Sequence, residues 1–217
     1  MIFVKNYGEP PICEKEILRY AGCKNESDLP AGLLKECLIE AGGVLKYRVC
    51  YSVFDLSVNG ENCDFGAFSV TSRYLAKNLC DCEKAVVVAA TVGVGVDRLI
   101  SKYGAVSPAR AVIFDAIGTE RIEALLDAFC ADIGDETGLS VKPRLSPGYG
   151  DIDLSYQKDL FSVLDCQRKI GLTLNSSMLM SPSKSVTAIA GLTADYTKKP
   201  DENKCAGCTK TNCAYKR

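Results

Sequence analysis

Residues 144–151 read RLSPGYGD, and the reading of this stretch decides how the rest of the chain is organised. Pro147 fixes φ, while Gly148 and Gly150 permit φ > 0, so the cluster marks a tight connection between apolar segments. Arg144, placed just ahead of it, admits a second reading. Glycine lets backbone approach a small molecule, and a guanidinium grips a carboxylate in a bidentate fork. On its own the stretch supports a plain loop and a ligand clamp alike.

The flanking segments are strongly periodic. Upstream, SPARAVIFDAIGTERIEALLDAFCADIGDETG (107–138) reads as one long helix, with Ser107 as N-cap and Pro108 at the first helical position, ending near Gly134 or Gly138. Its apolar stripe runs through Val112, Ile113, Ala116, Ile117, Ile122, Leu125, Leu126 and Phe129. Glu120, Glu123 and Asp127 share a second face, whose ordinary reading is a solvated one, and whose functional reading is a site acid. Downstream, LSYQKDLFSVLDCQRKIG (154–171) predicts a further helix, with Leu160, Phe161, Leu164 and Ile170 facing inward. LTLNSSMLMSPSKSVTAIAGLT (172–193) then predicts two strands around the turn SPSK.

Nearer the start, CEKEILRYAG (13–22) and LPAGLLKECLIEAGG (29–43) carry apolar residues at helical spacing, the second through Leu33, Leu34, Cys37, Leu38 and Ala41. RVCYSVFDLSV and KAVVVAATVG are β-branched and aromatic, and read as strands. GVGVDRLI after the second strand invites a dinucleotide-binding reading, but Arg98 stands where the third glycine of G-x-G-x-x-G belongs, and no βαβ unit follows. Helices and strands mix without a regular repeat. The expected class is therefore α+β, a mixed or antiparallel sheet packed with helices, in a single domain over 1–196.

Composition narrows the function. The 217-residue chain is 47% apolar, enough for a sizeable core, and its formal net charge is −1, which argues against a nucleic-acid groove or a membrane-surface patch. The longest apolar run, AVVVAATVGVGV, is too short and glycine-rich to span a bilayer, so a cytoplasmic location is expected. There the twelve cysteines would remain thiols or metal ligands. The chain has no histidine. A Ser-His-Asp triad, a Cys-His dyad and a His-ligated zinc made by this chain alone are excluded.

Residues 197–217 differ in character. They are polar, almost without aliphatic side chains, and place Cys205, Cys208 and Cys213 as C-x2-C-x4-C. C-x-x-C spacing lets two thiolates reach one metal, and such a tail would gain order from the metal rather than from burial. An iron–sulfur cluster, zinc and free thiols all remain open. Cys80 and Cys82 are candidates for a further ligand, whereas Cys37, Cys50 and Cys130 read as small core residues.

The turn and the segments after it together resemble the activation domain of cobalamin-dependent methionine synthase. The shared pattern is an R-x-x-P-G-Y turn, here Arg144, Pro147, Gly148 and Tyr149, followed by Gly171, Leu174, Ser177, Met180, Pro182, Ser185 and Val186 without a gap. The resemblance covers about residues 107–192, leaving 1–106 as a less similar N-terminal part. Position 145 is Leu145 where the family often has proline.

The resemblance implies that the domain binds S-adenosylmethionine through Arg144, Ser146, Pro147, Gly148 and Tyr149, with an acid of the preceding helix, Glu123 or, one turn on, Asp127. It also implies a role in remethylating a cobalamin whose cobalt has become oxidised. The cobalamin module of such enzymes needs a D-x-H-x-x-G motif, so a chain without histidine would act on a corrinoid held by a separate protein. The implied partners are a methionine synthase lacking its own activation domain, or another corrinoid protein, and an electron donor such as a flavodoxin or ferredoxin. A protein of electron transfer or metal binding without methyl transfer is the alternative.

Overall fold

The computed structural model describes residues 1–194. The chain opens with β1 (Phe3–Tyr7), α1 (Glu14–Tyr20) and α2 (Leu33–Gly42). β2 (Tyr47–Asp55) leads into a small meander of β3 (Ser57–Asn59), β4 (Asn62–Asp64) and β5 (Ser69–Thr71), then α3 (Arg73–Leu79) and β6 (Lys84–Thr91). α4 (Gly95–Gly104) and the 30-residue α5 (Pro108–Thr137) follow, then β7 (Ser140–Val141). The remainder comprises α6 (Gln157–Leu164), α7 (Cys166–Ile170), β8 (Thr173–Leu174), β9 (Met180–Ser181) and β10 (Ser185–Thr193). The class is α+β, as expected.

The main sheet has the order β1-β2-β6-β10-β7, and every neighbouring pair is antiparallel. The period-2 alternation of β2 sends Tyr47, Val49 and Tyr51 to one face, where they meet Leu125, Leu126 and Phe129 of α5. The opposite face sends Cys50 against Cys166 and Ile170 of α7. β6 is covered on both sides, which is why KAVVVAATVG reads as a nearly continuous apolar run. Val86, Val87 and Val88 are all fully buried, each stabilising the fold by about 1.5–3 kcal/mol. α1, α2 and α4 close a third cluster around Ile113, Phe114 and Ile117 of α5.

Sheet pairing excludes the dinucleotide-binding arrangement outright, because β6 has antiparallel neighbours on both sides. The long helix stops at Gly138 and not at Gly134: Gly138 adopts φ +67 and donates its N–H to the Gly134 carbonyl, closing the last turn. Ser107 occupies the N-cap but makes no side-chain cap.

Several expectations need correction. The helix predicted over 154–171 is broken, because Asp165 takes a left-handed conformation (φ 49) and separates α6 from α7; that bend turns Cys166 and Ile170 onto the sheet. Strands do flank the SPSK turn as expected, β9 before it and β10 after it, but they do not pair with each other. β9 before it pairs with β8, and β10 after it joins the main sheet, so the turn hands the chain from one sheet to another. Val112 lies outside the apolar stripe and is 51% exposed. Glu120, expected on a solvated face, is buried beside Arg121.

Candidate functional site

Arg144 lies on an extended segment held to β10. Leu145 and Ile189 exchange backbone hydrogen bonds at 2.9 and 2.8 Å, and Lys142 donates its N–H to Gly191 at 2.9 Å. This fixes the direction in which the Arg144 side chain leaves, across the sheet edge toward α5. There its Nη2 meets Glu123 Oε2 at 3.0 Å and its Nη1 meets Asp127 Oδ1 at 2.7 Å. Nη1 also reaches Cys130 Sγ at 3.6 Å. Glu123, Asp127 and Cys130 are spaced i, i+4 and i+7, so one helix face supplies all three. The Arg144 side chain is only 16% exposed. Burial opposes its charge, but the facing Cys130 thiol and Asp127 carboxylate outweigh this and raise its pKa above the usual value.

Cys130 is therefore not a simple core residue. It is half-buried and lies against the guanidinium. Cys37 and Cys50, in contrast, are fully buried, as their apolar surroundings in sequence suggest.

The turn after Arg144 is internally bonded. Tyr149 donates its N–H to the Ser146 carbonyl at 3.0 Å, and Gly148 donates to Ile152 at 2.8 Å. Gly148 holds φ +87, a conformation that costs a residue with a Cβ about 1–2 kcal/mol. Asp151 ties the turn to the start of α3, accepting from Ser72 Oγ at 2.5 Å and from the N–H groups of Arg73 and Tyr74 at 2.9 and 3.2 Å. The Tyr149 ring, 41% exposed, lies 5.7 Å from that of Tyr74. Ser146 and Pro147 are half-buried, and Gly148 is exposed. The structure thus brings Arg144 to both candidate acids and sets Tyr149 on the adjoining turn.

Two features of this region escape sequence reasoning. Tyr20, at the end of α1, lies close enough to Glu123 that its phenol pKa is raised, by burial first and then by that carboxylate. The second is the bidentate pair of Arg121 and Glu120, both contacts at 2.5 Å. Arg121 also donates to the carbonyls of Pro10 and Pro11 at 2.6 and 2.7 Å, and Glu120 accepts from the Cys13 N–H at 3.1 Å. This strap holds the segment entering α1 against α5, and so sets Tyr20 beside Glu123. The only sequence signal was an E-R dipeptide inside an apolar helix.

The described residues contain no group of three or more His, Cys, Asp or Glu able to hold a metal ion. Cys80 is exposed, while Cys82 points inward: a Cβ at Gly191 would fall 2.5 Å from its sulfur. Burial pushes the Cys82 thiol up to about 11, away from the thiolate a metal requires. Cys205, Cys208 and Cys213 lie outside the described residues.

Among solved structures the fold is similar to the reactivation domain of MetH, in a crystal structure with AdoHcy bound. The TM-score is 0.66 at 12% sequence identity, over 92% of this chain and 80% of that one. The chain has the fold of the MetH reactivation domain. No family model and no curated protein matches the sequence. The MetH-like fold extends well beyond residues 107–192, where the sequence resemblance lies, and takes in most of the N-terminal part as well. No helix among the described residues is long and apolar enough to cross a membrane.

Proposed function

We propose that this protein binds S-adenosylmethionine at Arg144 and presents it for the reductive remethylation of a corrinoid held by a separate protein, such as a methionine synthase lacking its own activation domain. The observation that carries the reading is the convergence of Arg144 with Glu123 and Asp127 in a chain with the fold of a domain crystallised with AdoHcy. The residues suit the ligand. An amino-acid carboxylate matches the Arg144 fork, and the neighbouring carboxylates favour an ammonium and a sulfonium.

Ligand entry requires Arg144 to exchange a partner. Asp127 is the natural one to yield, because its side chain is 73% exposed and an exposed ion pair is worth only about 0–1 kcal/mol. Glu123, 46% exposed and facing Tyr20, would stay as the acid near the ligand's positive groups. Tyr149 would cover the open side from the turn.

In the reaction a methyl group passes from the sulfonium sulfur to the reduced cobalt, leaving a neutral thioether. Cobalt supplies the nucleophile, so this chain's contribution is to position the donor and exclude competing orientations. Cys205, Cys208 and Cys213, as an iron–sulfur or zinc site, belong to the same proposal, with a flavodoxin or ferredoxin as the source of the electron. The test uses a corrinoid protein in the cob(II) state with a low-potential reductant. Methylcobalamin should form only when this protein and S-adenosylmethionine are both present. Equal formation without this protein would overturn the proposal in favour of electron transfer or metal binding alone.

A further inference from the structure

The end of the sheet where β2 begins and β6 stops has a charge distribution unlike that of the whole chain. Net formal charge is −1, yet two cavities there, each of about 350 Å³, are lined by Lys46, Arg48, Arg98 and Lys102 and by no acidic residue. The cavities share Lys46 and Val94, so they adjoin. Lys102 is held by Glu40 at 2.9 Å. The side chains of Lys46, Arg48 and Arg98 make no ion pair among the described residues. Like charges gathered on one concave surface repel, and an anion placed among them relieves that repulsion.

The 93–95 loop forms a close-packed part of the lining. A Cβ at Gly93 would lie 3.3 Å from Lys46 Cβ, and one at Gly95 would run into the Val44 carbonyl oxygen, so the 93–95 loop sits directly against the start of β2. Register places Arg48 opposite Thr91 at the same end. Gly171 and Pro182 form the far side of the second cavity. Lys46 lines both cavities from just before β2, Arg48 lines the second from β2, and Arg98 and Lys102 line the first from α4. None of these residues belongs to the Arg144 cluster.

We infer that this cleft binds a small molecule carrying two or more phosphate groups, of the nucleoside di- or triphosphate type. Each cavity falls in the range of about 300–1,000 Å³ usual for small-molecule sites. A concave cleft suits a compact ligand better than the flat surface of an acidic protein. Separated unpaired cations call for an anion with several charged groups rather than one carboxylate, and arginine matches phosphate in a bidentate fork.

The test is calorimetry on the full chain with pyrophosphate and with ATP, both without magnesium. Binding below about 1 mM is expected for at least one probe. Arg48→Ala and Arg98→Ala should each weaken it about tenfold, and the double variant about a hundredfold. Both side chains are exposed, so the variants should fold. Affinity for S-adenosylmethionine should be unchanged in them, which separates this inference from the Arg144 reading: either can fail without the other. Absence of heat with both probes at about 1 mM, or unchanged affinity in the variants, overturns the inference. Loss of S-adenosylmethionine affinity in the same variants would assign the cleft to the Arg144 ligand and also overturn it. Retention of heparin without either small probe would make it a docking face for an acidic macromolecule instead.

Discussion

Arg144 and Glu123 meet at 3.0 Å although 21 residues separate them, and Asp127 closes on the same guanidinium at 2.7 Å. The two acids therefore keep the proposed carboxylate clamp charged, oriented and partly shielded from water. Exchanging Asp127 for the ligand's carboxylate, with Glu123 left in place, changes the partner and not the charge.

If Arg144 is that clamp, Arg144→Ala loses a charge-assisted bidentate contact in a partly buried site, a cost of about 2–4 kcal/mol, or roughly 30-fold or more in affinity. Calorimetry with S-adenosylmethionine measures it directly. Arg144→Lys should recover only part, since an ammonium lacks the planar fork. Wild-type affinity in Arg144→Ala would remove the clamp.

The buried pair makes a stability prediction. Arg121 is fully buried and Glu120 nearly so. Arg121→Met leaves Glu120 and the Pro10 and Pro11 carbonyls without their donor, and should destabilise by about 3–5 kcal/mol in urea unfolding. A loss within the ordinary surface range of about 0.5 kcal/mol would show that the strap does not hold α1 to α5.

Asp151 links the turn to α3 in a way that depends on pH. Its bond from Ser72, with those from the N–H groups of Tyr74 and Arg73, holds its folded pKa below the usual aspartate value, against a smaller opposing effect of burial. The unfolded state thus binds the proton more readily. The stabilisation is fully present above the unfolded value and is lost as pH falls through the folded one. Asp151→Asn should cost about 0.5–2 kcal/mol at neutral pH, the usual range for a helix cap. The difference from wild type should vanish in strong acid. A difference independent of pH would argue against the carboxylate as the source.

Gly148→Ala tests the turn itself. At φ +87 the added Cβ is strained and would come within 3.3 Å of Leu154. A loss of about 1–2 kcal/mol in stability is expected, with weaker S-adenosylmethionine binding because Tyr149 is displaced. Unchanged stability and affinity together would show that the turn adapts freely.

For the tail, protein prepared without oxygen should contain iron and sulfide, and Cys205→Ser should remove both. Zinc in their place would make the site a structural one.

Local chemistry in the sequence was sufficient for much of the architecture. The 3.6-residue period of 107–138 and the proline at its start mark α5, since each acts over a single turn, while the choice of Gly138 over Gly134 as its end came with the structure. The β-branched and aromatic residues of RVCYSVFDLSV and KAVVVAATVG marked β2 and β6 as strands for the same reason, and the R-x-x-P-G-Y turn pointed to Arg144; which face of β2 meets α5, and the cover on both sides of β6, came only with the fold. Tertiary structure decided the rest, because the deciding contacts span long sequence separations. Glu120 and Glu123 look alike on a helical wheel; only the packing of residues 10–13 buries one against Arg121 and leaves the other for Arg144. Cys130 reads as an apolar filler until the Arg144 side chain crosses to it. Tyr20 comes near Glu123 because α1 packs on α5, with the buried Arg121–Glu120 pair holding the segment that enters α1. The gathering of Lys46, Arg48 and Arg98 around one cleft likewise arises where β2 and α4 begin beside the end of β6, which a net charge of −1 conceals.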